Sequence, residues 1–134
     1  MKRAYLAISF VNRSRFEALV KALKSQLLIH QIELFVFVDE YHFKPEQEQE
    51  MMQTAFAEIE LSDLLIAELT TKSIGVGIEL GYAYAKNKPV LYIRHESAKH
   101  SSTASGSAKN TIFYKDTKDL QSKLDVVAID KLLV

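Results

Sequence analysis

No cysteine occurs in the chain, so a disulfide framework, a thiol nucleophile and a thiolate zinc site are excluded together. A dominant charge is missing too. Lysine plus arginine (17) equals aspartate plus glutamate (17), and a balanced surface makes no field to gather a nucleic acid backbone or an anionic bilayer. A small molecule is the implied partner, not nucleic acid and not a membrane. No apolar run approaches the ~18 residues of a membrane helix. The opening MKRAYLAISF passes straight into a strand-like segment with no leader cleavage region, so a cytoplasmic location is expected. The histidines, His30, His42, His95 and His100, lack the helical i, i+4 pairing or clustered carboxylates of a metal site, so neither metal nor cofactor is assigned. Glycine is scarce, and three of its four copies fall within residues 73–89, SIGVGIELGYAYAKNKP.

What is present suits one α/β domain over residues 1–134, with 48% hydrophobic and 25% charged content. RAYLAISF (3–10) reads as a buried first strand. Phe16, Leu19, Val20, Leu23 and Leu27 recur at helical spacing, which predicts an amphipathic helix over 14–28 capped by Asn12 or Ser14. IELFVFVD (32–39) is the second strand. Pro45 suits a first helical turn, and residues 46–61 follow as a helix with acids at its start. Strands over 63–69, 89–94 and 111–115, a helix over 76–87 and a closing helix over 117–133 complete the series. Residues 95–110, HESAKHSSTASGSAKN, form a serine-rich stretch expected to be a disordered surface loop, with a lid or subunit contact as the alternative.

Alternating strands and helices imply right-handed crossovers and a parallel sheet covered on both faces. The expected architecture is a flavodoxin-like three-layer sandwich with a five-stranded parallel sheet in the order 2-1-3-4-5. Ligands of such sheets collect outside the carboxyl ends of the strands where the order reverses. That places residues 9–13, 39–42 and 70–79 around one crevice. Tyr41-His42-Phe43 could stack on a flat heterocycle there or simply pack. Of Tyr82 and Tyr84, on opposite sides of one helix, at least one should pack.

Gly75-Val76-Gly77-Ile78-Glu79 is neither a P-loop nor a dinucleotide fingerprint, since it follows the third strand and Gly81 breaks the spacing. Glycines there let a ligand approach the backbone, and amides at a helix start favour anions, with Ser73 adding a hydroxyl. A helix beginning near Val76 would hold Glu79 in its first turn, facing the crevice. The plainer alternative is a capping-box glutamate and small residues for packing.

AYLAISF and SDLLIAELTTKSIGVGIELGYAYAKNKPVLYI resemble the nucleoside 2-deoxyribosyltransferase family, which includes 2'-deoxynucleoside 5'-phosphate N-hydrolases. The resemblance implies that Glu79 attacks the anomeric carbon of a nucleoside, that Tyr5 orients it, and that Ser9, Ser73 and Gly75 contact a 5'-phosphate. Asn12, Arg13 and Gly77 join them as candidate substrate contacts. Ser101 corresponds to a serine that some members supply from an adjoining subunit, which implies a homodimer. The resemblance is broken where the family carries an aspartate that helps protonate the leaving base, here Ala55. Glu58, one turn on, is a stand-in or a solvated surface acid, and Asp63 matches an acid at the strand entrance. An arginine of the hydrolase branch is replaced by Val11, with Arg13 and Arg15 displaced. N-glycosidic cleavage or 2-deoxyribosyl transfer is the leading expectation. A non-catalytic nucleotide sensor and a Toll/interleukin-receptor-like NAD glycohydrolase are the alternatives.

Overall fold

Five short apolar runs become strands in the computed structural model, which describes residues 1–127 and 129–133. They are β1 (Lys2–Ala7), β2 (Ile32–Val36), β3 (Leu64–Glu68), β4 (Val90–His95) and β5 (Asn110–Tyr114). All pair in parallel in the order β2-β1-β3-β4-β5, as the alternation of elements predicts. Their burial follows their place in the sheet. Central β3 is buried throughout, whereas edge strands β2 and β5 alternate, because only a central strand is covered by helices on both faces along its whole length.

Side-chain alternation then sorts the core into two halves. Leu6, Ile66 and Ile93 face one side, where α1 (Glu17–Ile29) contributes Leu19, Leu23 and Leu27 and α6 (Thr117–Val126) contributes Leu120 and Leu124. Tyr5, Leu65, Ala67 and Tyr92 face the other. There α3 (Glu48–Glu60) brings Ala55 and Ile59, and α4 (Ile74–Ala85) brings Val76, Leu80 and Ala83. Register aligns Tyr5 with Leu65 and Leu6 with Ile66, so the buried Tyr5 ring lies on the α4 side, against Phe35 and Phe37.

Several boundaries differ from expectation. The first strand ends at Ala7, and a 3-10 turn (Arg13–Phe16) precedes α1. The second strand stops at Val36 and the chain turns into a short helix, α2 (Phe37–Glu40). Pro45 lies in the turn before α3 instead of its first turn. The closing helix divides into α6 and α7 (Ile129–Leu132), and Ala128 between them lies outside the described residues.

The serine-rich stretch is ordered, contrary to expectation. Ser101 caps a short helix, α5 (Ser102–Ser107), by accepting from the Ala104 amide, and its own N–H donates to the Tyr92 hydroxyl at 3.1 Å. The buried Arg94 guanidinium lies 3.8 Å over the Phe113 ring and donates to the carbonyls of His95 and Glu96. An arginine that the sequence pattern treats as a strand end thus pins the segment's start.

Candidate active site

The β1 carboxyl end opens into a cavity of about 580 Å³. Ile8, Ser9, Phe10 and Val11 form one wall, and Ser73, Gly75, Val76 and Glu79 of the α4 start form another. The third wall runs from Phe37 through Tyr41, His42 and Phe43 to the α3 side chains Glu48, Met51, Met52 and Ala55. Two walls coincide with the crevice read from the sequence. The third extends well beyond residues 39–42.

Glu79 is half-buried and projects from the second turn of α4. It sits there because α4 begins at Ile74, two residues earlier than the glycine pattern suggests. The Tyr5 hydroxyl donates to its Oε2. Among the described residues its other oxygen accepts no hydrogen bond, and it is not sealed from solvent, since the only buried side-chain polar atom without a partner is Arg94 Nε. Burial raises the Glu79 pKa to about 7, with the Tyr5 bond pulling the other way. Burial foremost, and then the Glu79 charge, push the Tyr5 phenol far upward, so Tyr5 remains a proton-bearing donor across working pH. The arrangement holds a carboxylate by one oxygen and leaves the other for a cavity.

The remaining sequence candidates divide. Ser9 is buried and lines the cavity. Asn12 does not line it, but its amide donates to Ser9 Oγ at 3.4 Å and Thr71 Oγ1 at 3.2 Å, tying the loop after β1 to the loop before α4. Ser73 is the α4 N-cap, accepting from the Val76 amide at 3.3 Å. Since the residue at the third helical position is Val76, no capping box with Glu79 forms. Gly75 lines the cavity and Gly77 does not. Neither has positive φ, and a Cβ on either would meet no close neighbour, so both leave room on α4 and neither relieves backbone strain. Arg13 points away from the cavity lining into a two-bond pair with Asp39 at 2.9 and 2.7 Å, with Glu17 at 2.9 Å. Ser101 caps α5 and does not line this chain's own cavity.

Other acids are accounted for elsewhere. Glu58 is no solvated surface acid: it pairs with Arg3 at 3.4 Å, and Arg3 lies over the Phe35 ring. Asp63 accepts from the Arg3 amide at 3.0 Å at the start of the strands, far along the sheet from the cavity end. Ala55 is buried in the cavity wall. Tyr82 packs on Phe56 with ring centroids 4.2 Å apart, while Tyr84 is exposed.

Sequence reasoning missed Phe37, assigned to the second strand. It stacks on Tyr41 and Phe43 with centroids 5.1 and 6.1 Å away, making a three-ring cluster on the cavity wall. It missed the α3 face as well, although Glu48, Met51, Met52 and Ala55 recur at helical spacing. Nothing in that period says whether such a face meets a core or a cavity. Among the described residues no group of three or more histidine, aspartate and glutamate side chains could hold a metal, and no helix is long and apolar enough to cross a membrane.

Residues 4–125 match the nucleoside 2-deoxyribosyltransferase family. The chain belongs to that family. The family takes its name from 2-deoxyribosyl transfer on nucleosides, and two structural neighbours bear the names of a glycosidase and a 2-deoxyribosyltransferase. A Syntrophotalea carbinolica protein that bears the name 2'-deoxynucleoside 5'-phosphate N-hydrolase 1 is 46% identical over 43 residues, 32% of this chain and 30% of that protein's length. The CMP N-glycosidase of Clostridium botulinum shares the fold with a TM-score of 0.68 at 24% identity, over 93% of this chain and 99% of that one. A 2-deoxyribosyltransferase of Bacillus psychrosaccharolyticus does so with a TM-score of 0.69 at 20% identity, over 89% and 90%.

Proposed function

We propose that the chain cleaves the N-glycosidic bond of a nucleoside or nucleotide, or transfers its 2-deoxyribosyl group, with Glu79 as nucleophile and Tyr5 as the group that orients it. The observation that carries this reading is the Glu79 carboxylate held through one oxygen by a buried phenol, with the other oxygen free beside an aromatic-lined cavity. Cleavage leaves electron deficiency at C1' of the sugar, which a carboxylate captures as a glycosyl ester. Water, or a second base, then attacks C1' and returns the carboxylate. Ser9, Ser73 and Gly75 stand where the sugar end of the substrate enters, and Asn12 fixes Ser9 against the α4 loop.

The reading includes a homodimer. The outer side of α4 carries the exposed Ile74, Ile78 and Tyr84 with Gly77 and Gly81 open between them, an uncharged surface on which a second copy can pack and bring its Ser101 near the first cavity. Sedimentation at micromolar concentration tests that part. The catalytic part is tested by incubating the protein with deoxynucleosides and their 5'-monophosphates, with and without an acceptor base, and following free base by chromatography. Binding of a nucleoside without release of base from any of them would instead leave a sensor.

A further inference from the structure

Breaking a C1'–N bond sends its electron pair onto the base, and a neutral base must then gain a proton as it leaves. The cavity is poorly equipped to give one at depth. Its buried lining consists of Ile8, Ser9, Phe37, Ala55 and Val76, and the one polar group among them, the Ser9 hydroxyl, accepts from Asn12 and is too weak an acid to protonate a leaving base near neutral pH. Apart from Glu79, the ionisable lining groups Tyr41, His42, Lys44 and Glu48 all stand at the exposed mouth, where the Tyr41 hydroxyl donates to Glu58 at 3.4 Å. A base that already carries a positive charge needs no proton, because the departing pair neutralises it.

Charge and lining agree with such a base. Lys44 offsets one of the two acids on the lining, Glu48 and Glu79, so the cavity carries one more carboxyl group than lysine. The near-parallel rings of Phe37, Tyr41 and Phe43 line the wall, and aromatic rings attract flat cations. Arg13, the nearby cation that would favour an anion, is taken up by Asp39 and Glu17.

We propose that the preferred substrate of this site is a nucleoside with a quaternised heterocyclic base, an N-alkylated purine or an N-glycosylated pyridinium. This rests on the Glu79 reading above. A Glu79 oxygen bonds to C1', the C1'–N bond breaks, and its electron pair cancels the ring charge so that the base departs neutral. Water then bonds to C1', the ester bond returns its pair to Glu79, and one proton passes to solvent.

The matched pair 2'-deoxyguanosine and 7-methyl-2'-deoxyguanosine differs by one methyl group and one charge, and nicotinamide riboside supplies a pyridinium arm. Base release is followed with the wild type, with the Glu79→Gln variant as the measure of spontaneous loss. The expected result is Glu79-dependent release from a cationic substrate at a kcat/KM at least ~100-fold above that for 2'-deoxyguanosine. With nicotinamide riboside, whose ring charge does not titrate, the pH profile should rise to a plateau without an alkaline fall, because no proton donor is required. The groups facing Glu79 and the cavity that could distort this profile are Tyr5 of β1, Tyr41, His42 and Lys44 of the segment after α2, and Glu48 of α3.

Two variants sharpen the test. Ala55→Asp places an acid in the buried wall and should raise the ratio of 2'-deoxyguanosine to 7-methyl-2'-deoxyguanosine turnover at least ~10-fold. Glu48→Gln should raise KM for the cationic substrate several-fold at unchanged kcat. The proposal is overturned by comparable turnover of 2'-deoxyguanosine with a bell-shaped profile, or by loss of kcat in Glu48→Gln or His42→Gln, which would assign the proton to the mouth. No Glu79-dependent release from either class would instead remove the N-glycosidase reading itself.

Discussion

Glu68 and Glu79 each accept a hydrogen bond from a buried tyrosine, Tyr114 and Tyr5 respectively, and in both burial raises the pKa. Their surroundings diverge from there. Glu68, at the carboxyl end of β3, also accepts from the Thr70 amide and hydroxyl, each at 2.7 Å, and Thr70 in turn accepts from the His95 amide at 3.0 Å. Both oxygens of that buried carboxylate accept hydrogen bonds, and it clamps the ends of β3, β4 and β5 together. Glu79 has one donor and a cavity. The contrast separates a carboxylate whose interactions are complete, and which holds structure, from one left incomplete and therefore available to an electrophile. Desolvation without full hydrogen bonding is costly, and such a group is a candidate for chemistry.

The comparison can be broken most sharply by making the same change twice. Replacing Glu79 with Gln should lower kcat/KM for base release by ~1,000-fold or more, while Glu68→Gln stays within about tenfold wherever it remains folded. Comparable losses in the two variants, measured in one chromatographic assay, would erase the distinction. Stability should reverse the ranking. An amide at position 68 turns a donor toward neighbours that themselves donate, so thermal or urea unfolding of Glu68→Gln should show a loss of about 2–4 kcal/mol.

Tyr5→Phe should lower turnover ~10- to 100-fold. It should also move the lower inflection of the kcat/KM profile above about 7, because the Tyr5 bond is what holds the Glu79 pKa down. An inflection that stays put or falls would show that another group is titrating. The smallest effect is a gain. The Glu79 pKa is raised from 4.5 unfolded to about 7 folded. The native state therefore binds the proton more tightly, and stability is full below the lower value and lost as pH rises through the upper one. Discounted for partial exposure, Glu79→Gln should be more stable than wild type by about 1–2 kcal/mol near pH 8. That gain should vanish near pH 4.5, the ordinary value.

Much of this was legible in the residues. Solid apolar strands alternating with helical periods led to the sheet order, and the resemblance led to the pairing of Tyr5 with Glu79, which meet although 74 positions separate them. What escaped is physically of one kind: contacts whose partners lie far apart in the chain and carry no periodic mark. Glu68 reads as the last residue of an apolar run, and only the arrival of Tyr114 from β5 makes it a clamp. Phe37 continues a β-branched and aromatic string that favours strand, yet the chain bends into α2 and its ring turns to the cavity. The stretch 95–110 has the composition of a loose loop, but Arg94 and Tyr92, both inside a strand, supply the bonds that order it. Local propensity yields to tertiary context at these points.

The central claim is that Glu79 takes the sugar covalently. Mass spectrometry of protein quenched in acid during turnover of a deoxynucleoside measures this directly. The account predicts a deoxyribosyl adduct on the peptide that contains Glu79, absent from Glu79→Gln. Steady release of base with no adduct there, or with the adduct on another residue, would contradict it.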